Sequence, residues 1–368
     1  MITISLCMIV RDEEDTLARC VKSVRDIADE IIIVDTGSTD KTREIACELT
    51  DHVYDFEWID DFSAARNFAY SKATKEYILI LDADDVLLPE DRKKFKKLKK
   101  TLDPGVDMVM MKYNVGYDQG GNVTLSYYRE RLSKRARGFQ WVEPVHEHLA
   151  YSGNVIYSDI CISHKKLHPS EPGRNLRIYE KMIAEGKPLS HRGLYYFGRE
   201  LFYNGRYGEC ILYLRQFLDG GQGWMEDNIG ACLMLSKCYT FLKYQRDRLK
   251  PLLESFQYDL PRPEVCCEIG YIYKEKQDYH RAKYWFERAL AYEQPEGNLG
   301  FQFHDSAEYI PAMELCVCCD NLGMREEAIR YNEMAGGFKP EDPAYLYNKK
   351  YFADAKKDTG GAEEKGED

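Results

Sequence analysis

No stretch of this 368-residue sequence approaches the ~20 consecutive apolar residues that a membrane-spanning helix requires. Its opening, "MITISLCMIVRDEED", reaches Arg11 after one short apolar run and lacks both the basic start and the small-residue cleavage site of a secretory signal. Among the 12 cysteines no second C-x-x-C pairs with the spacing of Cys316 and Cys319. Buried free thiols in a reducing compartment are therefore a better reading than a metal cluster at Cys316, Cys318 and Cys319. Positive charge is in deficit, with 62 acidic against 51 basic residues and a net charge of −11. That balance excludes a general nucleic-acid binder, whose affinity comes from neutralising phosphates. An anionic partner must meet local positive charge or a metal. The expectation is a soluble, cytoplasmic protein with no transmembrane segment.

What is present divides into two halves. Up to about His164, near-continuous apolar runs such as "ITISLCMIV", "EIIIVDTG" and "EYILILDAD" alternate with stretches of helical spacing. Runs of that kind are strands buried on both faces of a parallel sheet, and the alternation predicts a βαβαβ pattern. "MVMMKYNVGYD", "LSYYRERLSKR" and "NVIYSDICISH" read as further strands of mixed direction. Beyond the polar connector "KKLHPSEPGRN" the chain is helical and repetitive. Gly198, Tyr207, Cys210 and Leu218 align with Gly270, Tyr279, Ala282 and Leu290 at an offset of 72, two units of the ~34-residue tetratricopeptide period. Ala328 and Ala335 stand like Ala282 and Ala289, where small residues let paired helices approach. The expected division is 1–168 for the α/β domain, 169–353 for the helical repeats, and 354–368 for a disordered tail with almost nothing to bury.

The run Tyr77 to Leu81 ends in three carboxylates, Asp82, Asp84 and Asp85. Strand ends of an open α/β sheet face the crevice where ligands bind. Like charges are tolerable there if a cation sits between them, and hard oxygen ligands suit Mg²⁺ or Mn²⁺. The plainer reading is a helix cap by Asp84 or Asp85. An earlier strand ends likewise in Asp35, followed by a Thr-Gly-Ser-Thr turn, so two strands present carboxylates to one edge. Further on, "WVEPVHEHL" offers Glu143, His146 and Glu147. The run "PEDRKKFKKLKKTLDP", with seven basic residues, reads as a solvated helix face, against a membrane-docking alternative that Phe95 and Leu98 would have to serve.

Together, "SLCMIVRDEEDTLARCVKSV", "IIIVDTGSTDKT", "DFSAARNFAYSKATKEYILILDADD" and "VEPVHEHL" resemble glycosyltransferase family 2, inverting enzymes of GT-A fold that use nucleotide sugars. The motifs run in family order over roughly residues 2 to 165. The subgroup that joins such a domain to tetratricopeptide repeats, as in sublancin-type peptide S-glycosyltransferases, is similar in organisation. One departure is Arg11-Asp12-Glu13 where the family usually carries Lys-Asn-Glu. The resemblance implies a UDP-sugar donor, with Asp35 on the uracil ring, Arg66 flanking the nucleotide, Asp82 facing ribose and metal, and Asp84 as the main metal ligand. His164 would complete the metal shell. Glu147 would be the base and Glu143 the second choice.

Three functions follow. The first is a metal-dependent inverting glycosyltransferase, its repeats presenting a peptide or protein Ser, Thr or Cys, although the same helices could instead make a homodimer. A second keeps the chemistry but takes a cell-envelope glycan or lipid-linked acceptor. The third is a non-catalytic nucleotide-binding repeat scaffold.

Overall fold

A computed structural model describes residues 1–168, 171–293 and 300–360. It divides into two compact units at Asn204/Gly205, with Gly300 and Phe301 joining the first.

In the first unit β1 (Ile4–Val10), α1 (Leu17–Val24), β2 (Glu30–Asp35), α2 (Thr42–Leu49), β3 (Val53–Asp55), α3 (Phe62–Lys72) and β4 (Tyr77–Ile80) realise the expected alternation. There follow β5 (Asp85–Val86), α4 (Pro89–Thr101), β6 (Met108–Tyr117), β7 (Val123–Lys134), β8 (Gln140–Val142), β9 (His148–Ala150), β10 (Val155–His164), α5 (Arg174–Ala184) and α6 (His191–Tyr203). The main sheet runs β3-β2-β1-β4-β7-β6-β10-β5. β1 pairs in parallel with both β2 and β4, whereas β7 is antiparallel to β4 and β6, so the sheet is mixed. Successive residues of each central strand enter different cores. Leu6, Met8, Ile33 and Leu79 pack on one side with α1 and α4, and Cys7, Ile32, Val34 and Ile80 on the other with Ala69 and Tyr70 of α3. Burial on both faces is why these strands read as unbroken apolar runs. The basic helix α4 spends its apolar residues inward: Phe95 is fully buried, and Lys99 reaches Asp29 at 2.7 Å. Its membrane-docking alternative has no apolar face left to use.

The second unit is helical: α7 (Tyr207–Asp219), α8 (Met225–Phe241), α9 (Leu249–Glu254), α10 (Pro263–Glu275), α11 (Tyr279–Leu290), α12 (His304–Ala307), α13 (Tyr309–Asn321), α14 (Arg325–Phe338) and α15 (Pro343–Gly360). Helices α6 and α10 begin and end at positions 72 apart, and α7 and α11 begin 72 apart, so the repeat read from the sequence also sets the helix bounds. Ala282, Ala289, Ala328 and Ala335 are fully buried, and a Cβ on Gly270 would meet the Phe286 ring at 2.7 Å. Cys266, Cys267, Cys316, Cys318 and Cys319 pack around Phe286 and Leu315. Burial pushes the Cys318 thiol up to about 12, far from thiolate chemistry.

Two boundaries differ from expectation. Helices α5 and α6, assigned by sequence to the repeats that start at residue 169, belong to the first unit, while residues 169 and 170 lie outside the described residues. Helix α15 runs through Asp354 to Gly360, within the segment expected to be disordered, and 361–368 lie outside the described residues. Among the described residues no helix is long and apolar enough to cross a membrane.

Candidate active site

The chain leaves β4 at Ile80 and turns through Asp82 to Asp84 into the two-residue strand β5, which pairs antiparallel with the end of β10 so that Asp85 stands opposite His164. This register brings Asp84, Asp85 and His164 together, one ligand atom of each within 4.8 Å of the others. His164 Nδ1 lies 2.9 Å from the Tyr113 hydroxyl, 3.2 Å from Asp84 Oδ1 and 3.6 Å from Asp85 Oδ1. Burial opposes a charge on this ring, but the bonds and charges of Asp84 and Asp85 prevail and lift its pKa to about 9. Two carboxylate donors beside an imidazole fit a divalent cation such as Mn²⁺ or Mg²⁺. Neither aspartate caps α4, whose first turn has no side-chain cap bond.

Sequence reading missed the group that makes Asp85 tolerable. Arg131 of β7 donates to Asp85 Oδ2 at 2.9 Å, with both side chains almost wholly buried at 2% and 0% exposure. Its Nη1 also reaches the Ile80 carbonyl at 3.2 Å, and its guanidinium lies 4.3 Å from the Tyr113 ring centre. Asp85 Oδ2 in turn accepts from the Asp82 backbone N–H at 3.0 Å, which fixes the turn. "RERLSKR" carries this partner in plain view; only the antiparallel placement of β7 beside β4 reveals it.

Arg66, on α3, is a strut between two carboxylates. Its Nη2 donates to Asp82 Oδ1 at 2.8 Å and its Nε to Glu147 Oε1 at 2.6 Å. The Trp141 ring backs it at 5.1 Å. Burial alone would raise the Asp82 pKa, yet Arg66, then Arg131 and Arg129, hold it well below the usual carboxylate range. Arg129, two residues before Arg131, interacts with Asp82 and Glu147 by charge.

Asp35 ends β2 almost fully buried. Its Oδ1 accepts from the N–H groups of Gly37 (2.8 Å) and Ser38 (2.7 Å), a turn for which Gly37 adopts φ +100°. Asp35 Oδ2, Asp85 Oδ1 and Arg66 Nη1 are buried with no hydrogen-bond partner among the described residues. Native proteins leave few such atoms, and a bound ligand is one way to satisfy them. The departure at Arg11-Asp12-Glu13 is also resolved locally: Asp12, at φ 52°, accepts from the Thr39 N–H at 2.7 Å and joins the β1 and β2 loops.

The two candidate bases part company. Glu147, 10% exposed, shares Arg66 with Asp82, whereas Glu143 accepts from the Ser190 hydroxyl at 2.6 Å.

Residues 5–157 match the family described as Glycosyl transferase family 2. Over 103 residues the chain is 50% identical to a TPR repeat-containing protein of Synechococcus elongatus, covering 28% of this chain and 25% of that one. It is 28% identical over 284 residues to the SPbeta prophage-derived glycosyltransferase SunS of Bacillus subtilis, covering 73% of this chain and 65% of that one. The chain therefore spans less than two thirds of either relative. Among solved structures, a thermophilic TPR protein of Thermus thermophilus aligns with TM-score 0.35 and 16% identity, over 50% of this chain and 89% of its own.

Proposed function

We propose that this chain, whose residues 5–157 form a family 2 glycosyl transferase domain, moves a sugar with inversion from a UDP-sugar to a nucleophile on a peptide or protein. The observation that carries the reading is Arg66, which ties the donor-side Asp82 to Glu147, a candidate proton acceptor, within one buried network.

Each residue has a definite task in this reading. Asp35 Oδ2 accepts a hydrogen bond from the uracil ring, and Asp82 faces the ribose. Asp84, Asp85 and His164 would hold Mn²⁺ or Mg²⁺, which when bound supplies charge neutralisation for a departing diphosphate. Arg66 and Arg129 bring the local positive charge that a chain of net charge −11 must have near a diphosphate. The acceptor oxygen or sulfur bonds to the anomeric carbon as the carbon–oxygen bond to UDP breaks, UDP keeps the electron pair, and Glu147 takes the acceptor's proton. A thiol, of ordinary pKa ~8.5, asks less of Glu147 than a hydroxyl does, which favours a Cys acceptor over Ser or Thr. The repeat helices serve the acceptor peptide or join two copies of the chain. Twelve free cysteines suit a reducing, cytoplasmic setting.

The test is UDP release from UDP-glucose, UDP-galactose and UDP-N-acetylglucosamine with Mn²⁺, with and without matched Cys and Ser peptides. Peptide-stimulated release supports the reading. Release stimulated only by a glycan or lipid-linked acceptor transfers the role to that class, and nucleotide binding without turnover of any donor leaves the scaffold function.

A further inference from the structure

The segment Val142 to Glu147 joins β8 to β9 and holds two non-glycine residues in the left-handed region, Glu143 at φ 76° and His146 at φ 54°. Each such residue costs roughly 1–2 kcal/mol, so the backbone does not choose this shape unaided. Contacts from α3, α5 and α6 impose it. The Ser190 hydroxyl donates to Glu143 (2.6 Å), the Phe62 N–H to the Pro144 carbonyl (2.9 Å), and the Tyr179 hydroxyl to the Val145 carbonyl (3.4 Å). His146 carries the tightest restraint. Its ring stacks on Tyr196 at 4.3 Å and 24°, and its Nε2 lies 2.7 Å from Glu200 Oε1. Asn175 Nδ2 donates to the same oxygen at 3.3 Å, fixing the carboxylate from the other helix. An ionised carboxylate only accepts, so Nε2 carries the hydrogen. Burial pulls the His146 pKa below its ordinary value despite Glu200, which leaves a neutral ring in this one tautomer.

Given the reading of Glu147 as proton acceptor, on which this rests, we infer that Glu200 is a positioning residue: through His146 it holds the strained loop that sets Glu147 against Arg66. Helices α5 and α6 are thereby parts of the transfer machinery, though their sequence has the pattern of the repeats. A misplacement of ~1 Å in such a group can cost ~10²-fold in rate.

The experiment uses the full-length chain with Glu200→Leu, Glu200→Gln and His146→Phe. Hydrogen–deuterium exchange is read over residues 143–148 and over β1 and β4, alongside stabilisation by UDP with Mn²⁺. Glu200→Leu should speed exchange in the loop by ~10-fold or more while β1, β4 and the UDP response stay at parent values. Glu200→Gln, whose amide oxygen still accepts from Nε2, should restore protection. His146→Phe keeps a ring against Tyr196 but loses the bond, so it must loosen the loop even if Glu200→Leu fails to fold. With a UDP-sugar that the parent turns over, Glu200→Leu should lower kcat and leave the donor KM unchanged. Parent-like loop exchange in both Glu200→Leu and His146→Phe, or Gln behaving as Leu does, overturns the inference. The exchange readout does not depend on Glu147 being the base, which Glu147→Gln tests separately by rate.

Discussion

Both units bury charge, and they use it in opposite ways. In the helical unit Arg262 pairs with Glu226 at 2.6 Å, both almost fully buried, and also with Asp259, so its charge joins α8 to the start of α10. In the sheet unit the charges converge on strand ends: Asp82, Asp85, Arg66 and Arg131 contact one another, and Arg66 Nη1 stays buried with no hydrogen-bond partner among the described residues. A satisfied buried pair staples a fold, whereas an incomplete network at a strand edge waits for a ligand. Removing a member should therefore cost stability in one unit and chemistry in the other.

The largest expected effect is Asp84→Ala. Transfer should be lost while the fold persists, with at most a small fall in melting temperature, because His164 loses its Asp84 partner but keeps Asp85 and Tyr113. Steady-state turnover and a melting curve on the same sample check this, and parent-like turnover would break the contrast. Glu226→Ala is the mirror image. It should cost ~3 kcal/mol of stability, the low end for breaking a buried pair since Asp259 still faces Arg262, and leave turnover per folded molecule intact. Denaturant titration and turnover measured below the transition decide it. Glu147→Gln should reduce transfer to a hydroxyl acceptor by ~10²-fold, and to a thiol by less, with UDP binding retained. Parent rates on both acceptors, with Glu143→Gln inactive, would move the role to Glu143. The smallest effect is Gly270→Ala, where the new Cβ meets Phe286 at 2.7 Å. Overpacking there should cost ~1–3 kcal/mol in stability alone.

The sequence was most legible where a local rule sufficed. Unbroken apolar runs marked the strands buried on both faces, and the offset of 72 recovered the bounds of α6 and α10. Asp35, Asp82 and Asp84 stood out in the sequence because Asp35 ends β2 and the other two lie in the turn just after β4. What stayed hidden depends on pairing over long separations. Asp85 owes its tolerance to Arg131, 46 positions away, through the antiparallel insertion of β7. Arg66 binds both Asp82 and Glu147, a bridge across three separate segments. Helices α5 and α6 carry the same amphipathic pattern as the repeats behind them, and pattern alone cannot tell which core receives them.

The central claim is that Asp84, Asp85 and His164 form a divalent-cation site on which UDP binding depends. Thermal stabilisation by UDP, measured in Mn²⁺ and in EDTA for the parent and for His164→Ala, tests it most directly. The account predicts a clear rise in melting temperature with Mn²⁺, a weak one in EDTA, and a reduced Mn²⁺ dependence in His164→Ala. Equal stabilisation of the parent in Mn²⁺ and in EDTA would contradict it.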